Sequence, residues 1–427
     1  MNQTPTPPSH HPVIVVGGGQ AGLSMSYQLR RHGIDHIVFE KNTIAHAWKT
    51  QRWDSFCLVT PNWQCQLPGF PYPGEEPHGF MPRDEIVGYI EAYARAIEAP
   101  VAEGVAVTAI RRRPKGGFSV ATSRGEHTAD QVVMAISGYH VPAIPAFAAR
   151  LPAGLRQIHS STYRNPSQMP DGAVLVVGSG QSGCQIAEDL HLSGRKVHLV
   201  VGSAPRCPRV HRGRDAVDWL ADMGQYDLPV EDHPLKEDVR RKANHYLTGR
   251  DGGRDIDLRR FALEGMSLHG RLESIDGPVL RFADDLGRNL DNADAVYTGI
   301  QGAIDRHIAA KGIAAPEQAH YTPLWVPGPH APSLDAEAAG IGSVIWATGF
   351  RADFGFIDAP AFDGRGLPIH TRGVTPVDGL YVVGLPWLHT WGSGRFSGIA
   401  RDTEYLAERV VELRAKRSVG ESLSLAS

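Results

Sequence analysis

"VIVVGGGQAGLSMSYQL" (residues 13–29) and "AVLVVGSGQSGCQIAEDL" (residues 173–190) decide the fold. Each reads as a run of β-formers, a glycine turn and the start of an apolar-periodic helix. The G-x-G-x-x-G pattern alone is weak, because 47 glycines in 427 residues give roughly 0.6 matches by chance. The strand before it and the helix after it supply the specificity. In that setting Gly17 or Gly178 makes the tight turn and Gly19 or Gly180 lets the backbone approach a pyrophosphate. Gly22 or Gly183 lets helix and strand pack closely. The helix starts, Gln20-Ala21 and Gln181-Ser182, offer free N–H groups and a partial positive charge to phosphate.

The two units differ downstream. The second strand of the first unit ends "HIVFEK", with Glu40 23 residues beyond Gly17 and Lys41 next to it. A carboxylate there accepts hydrogen bonds from the hydroxyls of an adenosine ribose and repels a 2′-phosphate, which suits FAD or NAD. The second unit has no acid at that place. Ser203 and Arg206 follow its strand, with Arg209 and Arg212 beyond. A guanidinium fork binds phosphate in bidentate fashion, so this end suits the 2′-phosphate of NADPH. Two dinucleotides imply a redox enzyme that joins a flavin to a reduced nicotinamide.

Outward from these units the chain reads as α/β, with two Rossmann-like, three-layer dinucleotide-binding domains. Residues 12–167 and 338–415 are expected to form the FAD domain, with an NADPH domain, 168–337, inserted into it. Within the latter, 203–260 is an insertion of helices and loops, rich in Arg and Asp, with little core of its own. Residues 1–11 read as a disordered arm and 416–427 as a frayed tail. A net charge of −3 gives no reason to expect nucleic acid or an anionic membrane as partner. No apolar run approaches the ~20 residues of a membrane helix. Cys57, Cys65, Cys184 and Cys207 form no C-x-x-C pair and no metal-ligand cluster, which suits a reducing cytoplasm and a buried, inert role.

The sequence resembles the class B flavin-dependent monooxygenases, a group that includes the YUCCA-type indole-pyruvate monooxygenases. The resemblance spans nearly the whole chain. "GGGQAGLS" is similar to the family's FAD turn and "GSGQSGCQIAEDL" to its NADPH turn. "HAWKTQRWDSFCLVTPNWQCQLPGFPYP" is similar to its flavin-side loop, "IWATGF" to its A-T-G strand end with Gly349, and "HSSTY" to the end of its linker motif. Within the group the chain is similar to a bacterial set of flavoproteins associated with nitrilase-containing gene clusters. There are departures. Ala153 and Leu155 stand where the linker motif has Phe and Gly, ahead of His159 and Tyr163, which argues against a Baeyer–Villiger reaction. Gly384-Leu385 replaces the usual Gly-Asp of the last FAD strand.

The resemblance implies FAD and NADPH as cofactors, and oxygen transfer from O2 to a small organic substrate by way of a C4a-(hydro)peroxyflavin. The alternatives are an NADPH-dependent flavin reductase or dehydrogenase with another acceptor, and a non-catalytic redox-sensing flavoprotein. No hydrolytic triad or metal motif is found by spacing. Asn62, in the flavin-side loop, is the candidate to contact nicotinamide or peroxide. Arg395, with Phe396 and Ser397 at the start of the closing helix, is the candidate to face the flavin pyrimidine. Trp48, Trp53, Trp63, Trp387 and Trp391 fall in two loops and are candidates to wall a pocket for an aromatic substrate. His140, His159 and His389 read as structural histidines rather than bases. A homodimeric assembly is left open.

Overall fold

A computed structural model describes residues 9–425, and side chains up to residue 418. It contains two large sheets, the first mixed and the second all parallel, each holding the strand of one of the quoted stretches. The first sheet has eight strands. Strand Ser9–Val16 lies between His36–Glu40 and Gly125–Met134, parallel to both. Val101–Glu103 extends one side. An antiparallel flap of Val107–Arg112 and Phe118–Thr122 extends the other. Leu380–Val382 pairs parallel with the end of Gly125–Met134. Val13, Ile14 and Val15 are wholly buried. Helix Gln20–Arg31 packs one face of this sheet together with helix Arg83–Ala96, whose Ile86, Ile90 and Tyr93 fall on one stripe in the core. Each such side chain contributes about 1.5–3 kcal/mol by leaving water.

The second sheet is all parallel, in the order Arg156–His159, Ile341–Trp346, Ala173–Val177, Val197–Val200, Ser267–His269. Ala173–Val177 and Val197–Val200 are buried at every residue, as a sheet covered on both faces requires. Helix Gln181–Leu192 covers one face, and a three-stranded antiparallel sheet, Leu272–Asp276, Val279–Phe282 and Ser333–Asp335, packs on the other. The long helix Leu286–Lys311 and the closing helix Ile399–Leu425 flank the two units.

This topology moves several expected boundaries. Ile341–Trp346 pairs with Ala173–Val177 and Arg156–His159, so it belongs to the second sheet and not to the first domain. The second unit therefore starts near Arg156 rather than at residue 168, and the chain returns to the first unit only beyond Gly349. An apolar run shows that a strand is buried but carries no label for its sheet. Residues 9–11 are not an arm: they pair with His127–Ala129. Residues 1–8 lie outside the described residues. The expected tail is helical through Leu425, and residues 426 and 427 lie outside the described residues. The 203–260 insertion does feed a core: Tyr246, Ile256 and Leu258 join the cluster of Val174, Val176 and Leu190 in the second unit, and Trp219 joins Ile304 and Ile308 of the long helix. Isolated apolar residues at irregular spacing hid this. Among the described residues no helix is long and apolar enough to cross a membrane.

Candidate functional site

The two turns share one backbone path. Gly17 and Gly178 take φ of +106° and +108°, and a Cβ at either would sit 2.6 Å from the carbonyl oxygen of Ala135 or Ala347. A Cβ on Gly22 or Gly183 would overlap the carbonyl of Gly17 or Gly178. Both pairs are glycine for reasons internal to the protein. Gly19 and Gly180 differ. Each caps its helix in extended backbone, and a Cβ there would meet nothing within 4 Å. No protein atom requires glycine at these two positions, so a cradle opens above each helix N-terminus. Each turn glutamine ties its turn to a different cover. Gln20 Nε2 donates to Gly394 O at 3.2 Å, and Gln181 Nε2 donates to Leu247 O at 2.5 Å.

At the first strand end the Glu40 carboxylate accepts from Gly18 N and Asn42 N, both at 2.8 Å. Its position is thereby fixed, and it keeps acceptor capacity for a further donor. Lys41 is exposed beside it. In the second unit Val177 pairs with Val200 as Val16 pairs with Phe39, so the counterpart of Glu40 is Val201. There the Ser179 hydroxyl accepts from Gly202 N at 2.9 Å.

The arginines that follow do not form a phosphate fork. Arg206 is 2% exposed, paired with Asp294 at 2.9 Å and Asp257 at 3.4 Å, and stacked between Tyr297 and Tyr321 at 4.2 and 4.3 Å. Arg209 is buried on Asp215 and donates to Val59 O. Arg212 pairs with Asp305 of the long helix, which His211 of the insertion and His320, beyond that helix, also engage. The long helix supplies Asp294, Tyr297 and Asp305, and the sequence near Arg206 gives no sign of it. Ser203 alone of that set is exposed at the strand end.

The flavin-side loop is clamped from three directions. Asn62 is buried, its Nδ2 donating to Glu76 O at 3.0 Å and its Oδ1 accepting from Met81 N at 2.7 Å. Its carboxamide braces the loop through both of these bonds. Trp63 Nε1 donates to Asp218 of the insertion at 2.7 Å, and Trp53 is core. Asp189, on the second turn's helix, gathers Ser55 (2.6 Å), Arg250 (2.7 Å) and the Tyr163 hydroxyl (2.6 Å). One buried carboxylate thus joins the flavin-side loop, the linker, the second turn and the insertion. Next to it, burial lifts the Glu188 carboxyl to about 7, against the pull of Arg254 and Arg250.

The loop before the closing helix lies over the first turn. A Cβ on Gly384 would be 2.7 Å from Ala21 Cβ. Phe396 is buried and stacks on Trp48, ring centroids 5.9 Å apart. The Ser397 hydroxyl is buried without a hydrogen-bond partner among the described residues. Arg395 lies 3.9 Å over Trp391, donates to Trp391 O and donates to Asn244 Oδ1 of the insertion at 2.7 Å. Burial pulls its guanidinium down to about 10. Trp387 faces His233 and accepts from Arg240 through its carbonyl. His159 spans Gly349 O, at 2.9 Å, and Ser161, and burial lowers its pKa, so it pins the linker. His140 bonds Ile136 O and Asp353 N. Burial likewise lowers His389. Asp189, Arg52 and Asn244 are parts of the site that the sequence reading missed. Only Arg52 carried a signal, as a cation among the tryptophans of the flavin-side loop. All four cysteines are buried and free, and burial raises each thiol.

The pyridine nucleotide-disulphide oxidoreductase family profile matches residues 14–219. An uncharacterized CzcO-like oxidoreductase of Geobacillus kaustophilus is 33% identical over 403 residues, 93% of this chain and 98% of the relative. The indole-3-pyruvate monooxygenase YUCCA1 of Oryza sativa subsp. japonica is 30% identical over 270 residues, 62% of this chain and 65% of its own. Among solved structures, a mutant flavin monooxygenase from Stenotrophomonas maltophilia superposes with a TM-score of 0.63 at 18% identity, covering 94% of this chain and 98% of that one.

Proposed function

We propose that this chain, which belongs to the CzcO-like oxidoreductases, is an NADPH- and FAD-dependent monooxygenase of a small organic substrate, on its likeness to the class B flavin-dependent monooxygenases. The observation that carries the reading is the pair of cradles at Gly19 and Gly180, open where no protein atom requires a glycine. We assign FAD to the first, held by Gly17, Gly19, Gln20, Ala21 and Gly22, with Glu40 and Lys41 toward its ribose. The unpartnered Ser397 hydroxyl, with Arg395 and Phe396, lies toward its ring. The nicotinamide dinucleotide falls to Gly178, Gly180, Gln181, Ser182 and Gly183, with Ser203 at the end that a 2′-phosphate would reach. Nothing in the arginines now supports that phosphate, so the choice of NADPH rests on the family. Bound flavin would accept reducing equivalents from the nicotinamide and activate dioxygen.

The chain's own residues bind, orient and exclude water. Gln20 and Gln181 close each turn against its cover. Asp189 holds the second turn in register with the flavin-side loop. The insertion segment Asn244–Arg250 bonds Arg395, Gln181 and Asp189, and at Gly249 it lies against Leu58 of the flavin-side loop, where it would help to exclude water from a bound flavin. Helix-end N–H groups beyond Arg395 would favour negative charge on a flavin bound beside them.

A test follows the electrons and the oxygen. FAD-loaded protein mixed with NADPH under ¹⁸O2 is expected to bleach its flavin and place one labelled oxygen in an added organic substrate. Flavin bleaching with transfer to a dye acceptor and no label in product would favour the reductase reading. Bound FAD that NADPH does not reduce would leave a non-catalytic flavoprotein.

A further inference from the structure

We infer that Arg52 and Arg395 form a receptor for an anionic group of the substrate, a carboxylate, between the flavin-side loop and the loop before the closing helix. The inference rests on the reading that this site takes a small organic substrate. Arg52 lies 5.1 Å over Trp48 and 5.5 Å over Phe56, and its one hydrogen bond, 2.9 Å, goes to the carbonyl of Gln51. Arg395 is bound only by the Trp391 carbonyl, the Asn244 carboxamide and the Trp391 face. Trp48 stacks on Phe396 with rings 20° apart, which brings the two arginine-bearing loops together.

Among the described residues neither arginine has a carboxylate within ion-pair distance. Arg206, Arg209, Arg212 and Arg259 each have at least one. Arg52 and Arg395 are half-buried cations with no counter-ion among the described residues, a placement that carries a desolvation cost, and burial depresses both groups. Each guanidinium has five N–H donors, and none of the unused ones is sealed inside protein. The arrangement is half of an ion pair, set among aromatic faces that suit a flat ligand. A carboxylate matches the guanidinium fork in shape and charge. The pyrophosphates of the two dinucleotides have their own cradles. The other source of a planar negative charge is the reduced flavin ring, and the test separates the two.

Full-length, FAD-loaded protein is titrated by calorimetry with benzoate and with its uncharged analogue benzamide. Benzoate is expected to bind about tenfold or more tighter. Arg52→Gln and Arg395→Gln should each weaken benzoate by about 10- to 100-fold and leave benzamide within about twofold. Arg52→Lys, which keeps the charge and loses the fork, should fall between. Equal affinity for the two probes, or benzoate binding that survives both glutamine variants, overturns the receptor. So does a shift in flavin reduction potential with benzoate binding untouched, which would give the arginines to the reduced flavin. The wild-type ratio decides by itself if a variant loses FAD. A protein that takes up no FAD overturns the flavin reading as well, whereas failure of the benzoate preference in a reducible flavoprotein overturns only the receptor.

Discussion

Replacing Gly180 by alanine separates what the fold needs from what a ligand needs. A Cβ at Gly180 meets no atom within 4 Å, and φ of −70° with ψ of −176° is open to any residue. Alanine is a poorer helix cap than glycine by about 0.5–1 kcal/mol, and it gains about 0.4–1 kcal/mol by restricting the unfolded chain. These nearly cancel, so the melting temperature should move by less than about 3 °C. The added methyl stands where the backbone would approach a pyrophosphate. Loss of one charge-assisted hydrogen bond there costs about 1.5–3 kcal/mol, or about 10- to 150-fold in KM for NADPH. FAD content should not change, because FAD belongs to the other turn. Gly183→Ala is the control. Its Cβ would overlap the Gly178 carbonyl and lie 3.2 Å from Ala347 Cβ, so the helix must withdraw, at a cost of about 1–3 kcal/mol or more. Thermal melts, FAD-to-protein absorbance ratios and NADPH kinetics on the two variants decide the matter. A Gly180→Ala protein that melts like Gly183→Ala, or that keeps the wild-type KM, would refute the cradle.

Three further outcomes are expected. Arg206→Ala should destabilise the chain by about 3–5 kcal/mol in urea unfolding, because it leaves buried Asp257 without an ion pair and buried Asp294 with Arg259 alone, and should leave the ratio of NADPH to NADH kcat/KM unchanged. Stability should fall on acidification. His198 and His269 touch at 3.0 Å, and burial pushes both from 6.5 to about 4, so the unfolded chain binds more protons between those values. Stability from this pair is complete above 6.5 and is lost as pH falls, about 3 kcal/mol for either member by pH 4, and His269→Phe should flatten the urea midpoint against pH. Asp189→Asn should slow flavin reduction by NADPH with little change in KM, since it loosens the joint between the second turn and the flavin-side loop; a pure KM effect would contradict that joint.

The glycine turns were legible in the sequence because their causes are local. A left-handed φ at Gly17, a helix start three residues on and a buried strand before it all lie within one stretch of chain, and so does the stripe of Ile86, Ile90 and Tyr93. The placement of Glu40 followed from the same short span. What failed to read across was pairing at a distance. The run that holds Ile341–Trp346 is the same whichever sheet it joins, and only its hydrogen-bond partners place it in the second. Arg206 and Arg395 are both arginines beside a dinucleotide turn, yet Arg206 is spent on two carboxylates supplied by residues 257 and 294, while Arg395 finds none. Asn62 sits in the expected loop with its amide already spent on it. Backbone conformation and side-chain periodicity depend on neighbours in the chain, so the sequence determined the two turns and their strands and helices. Whether a charge is neutralised depends on neighbours in space, and the tertiary structure alone decided which arginines remain available to a ligand.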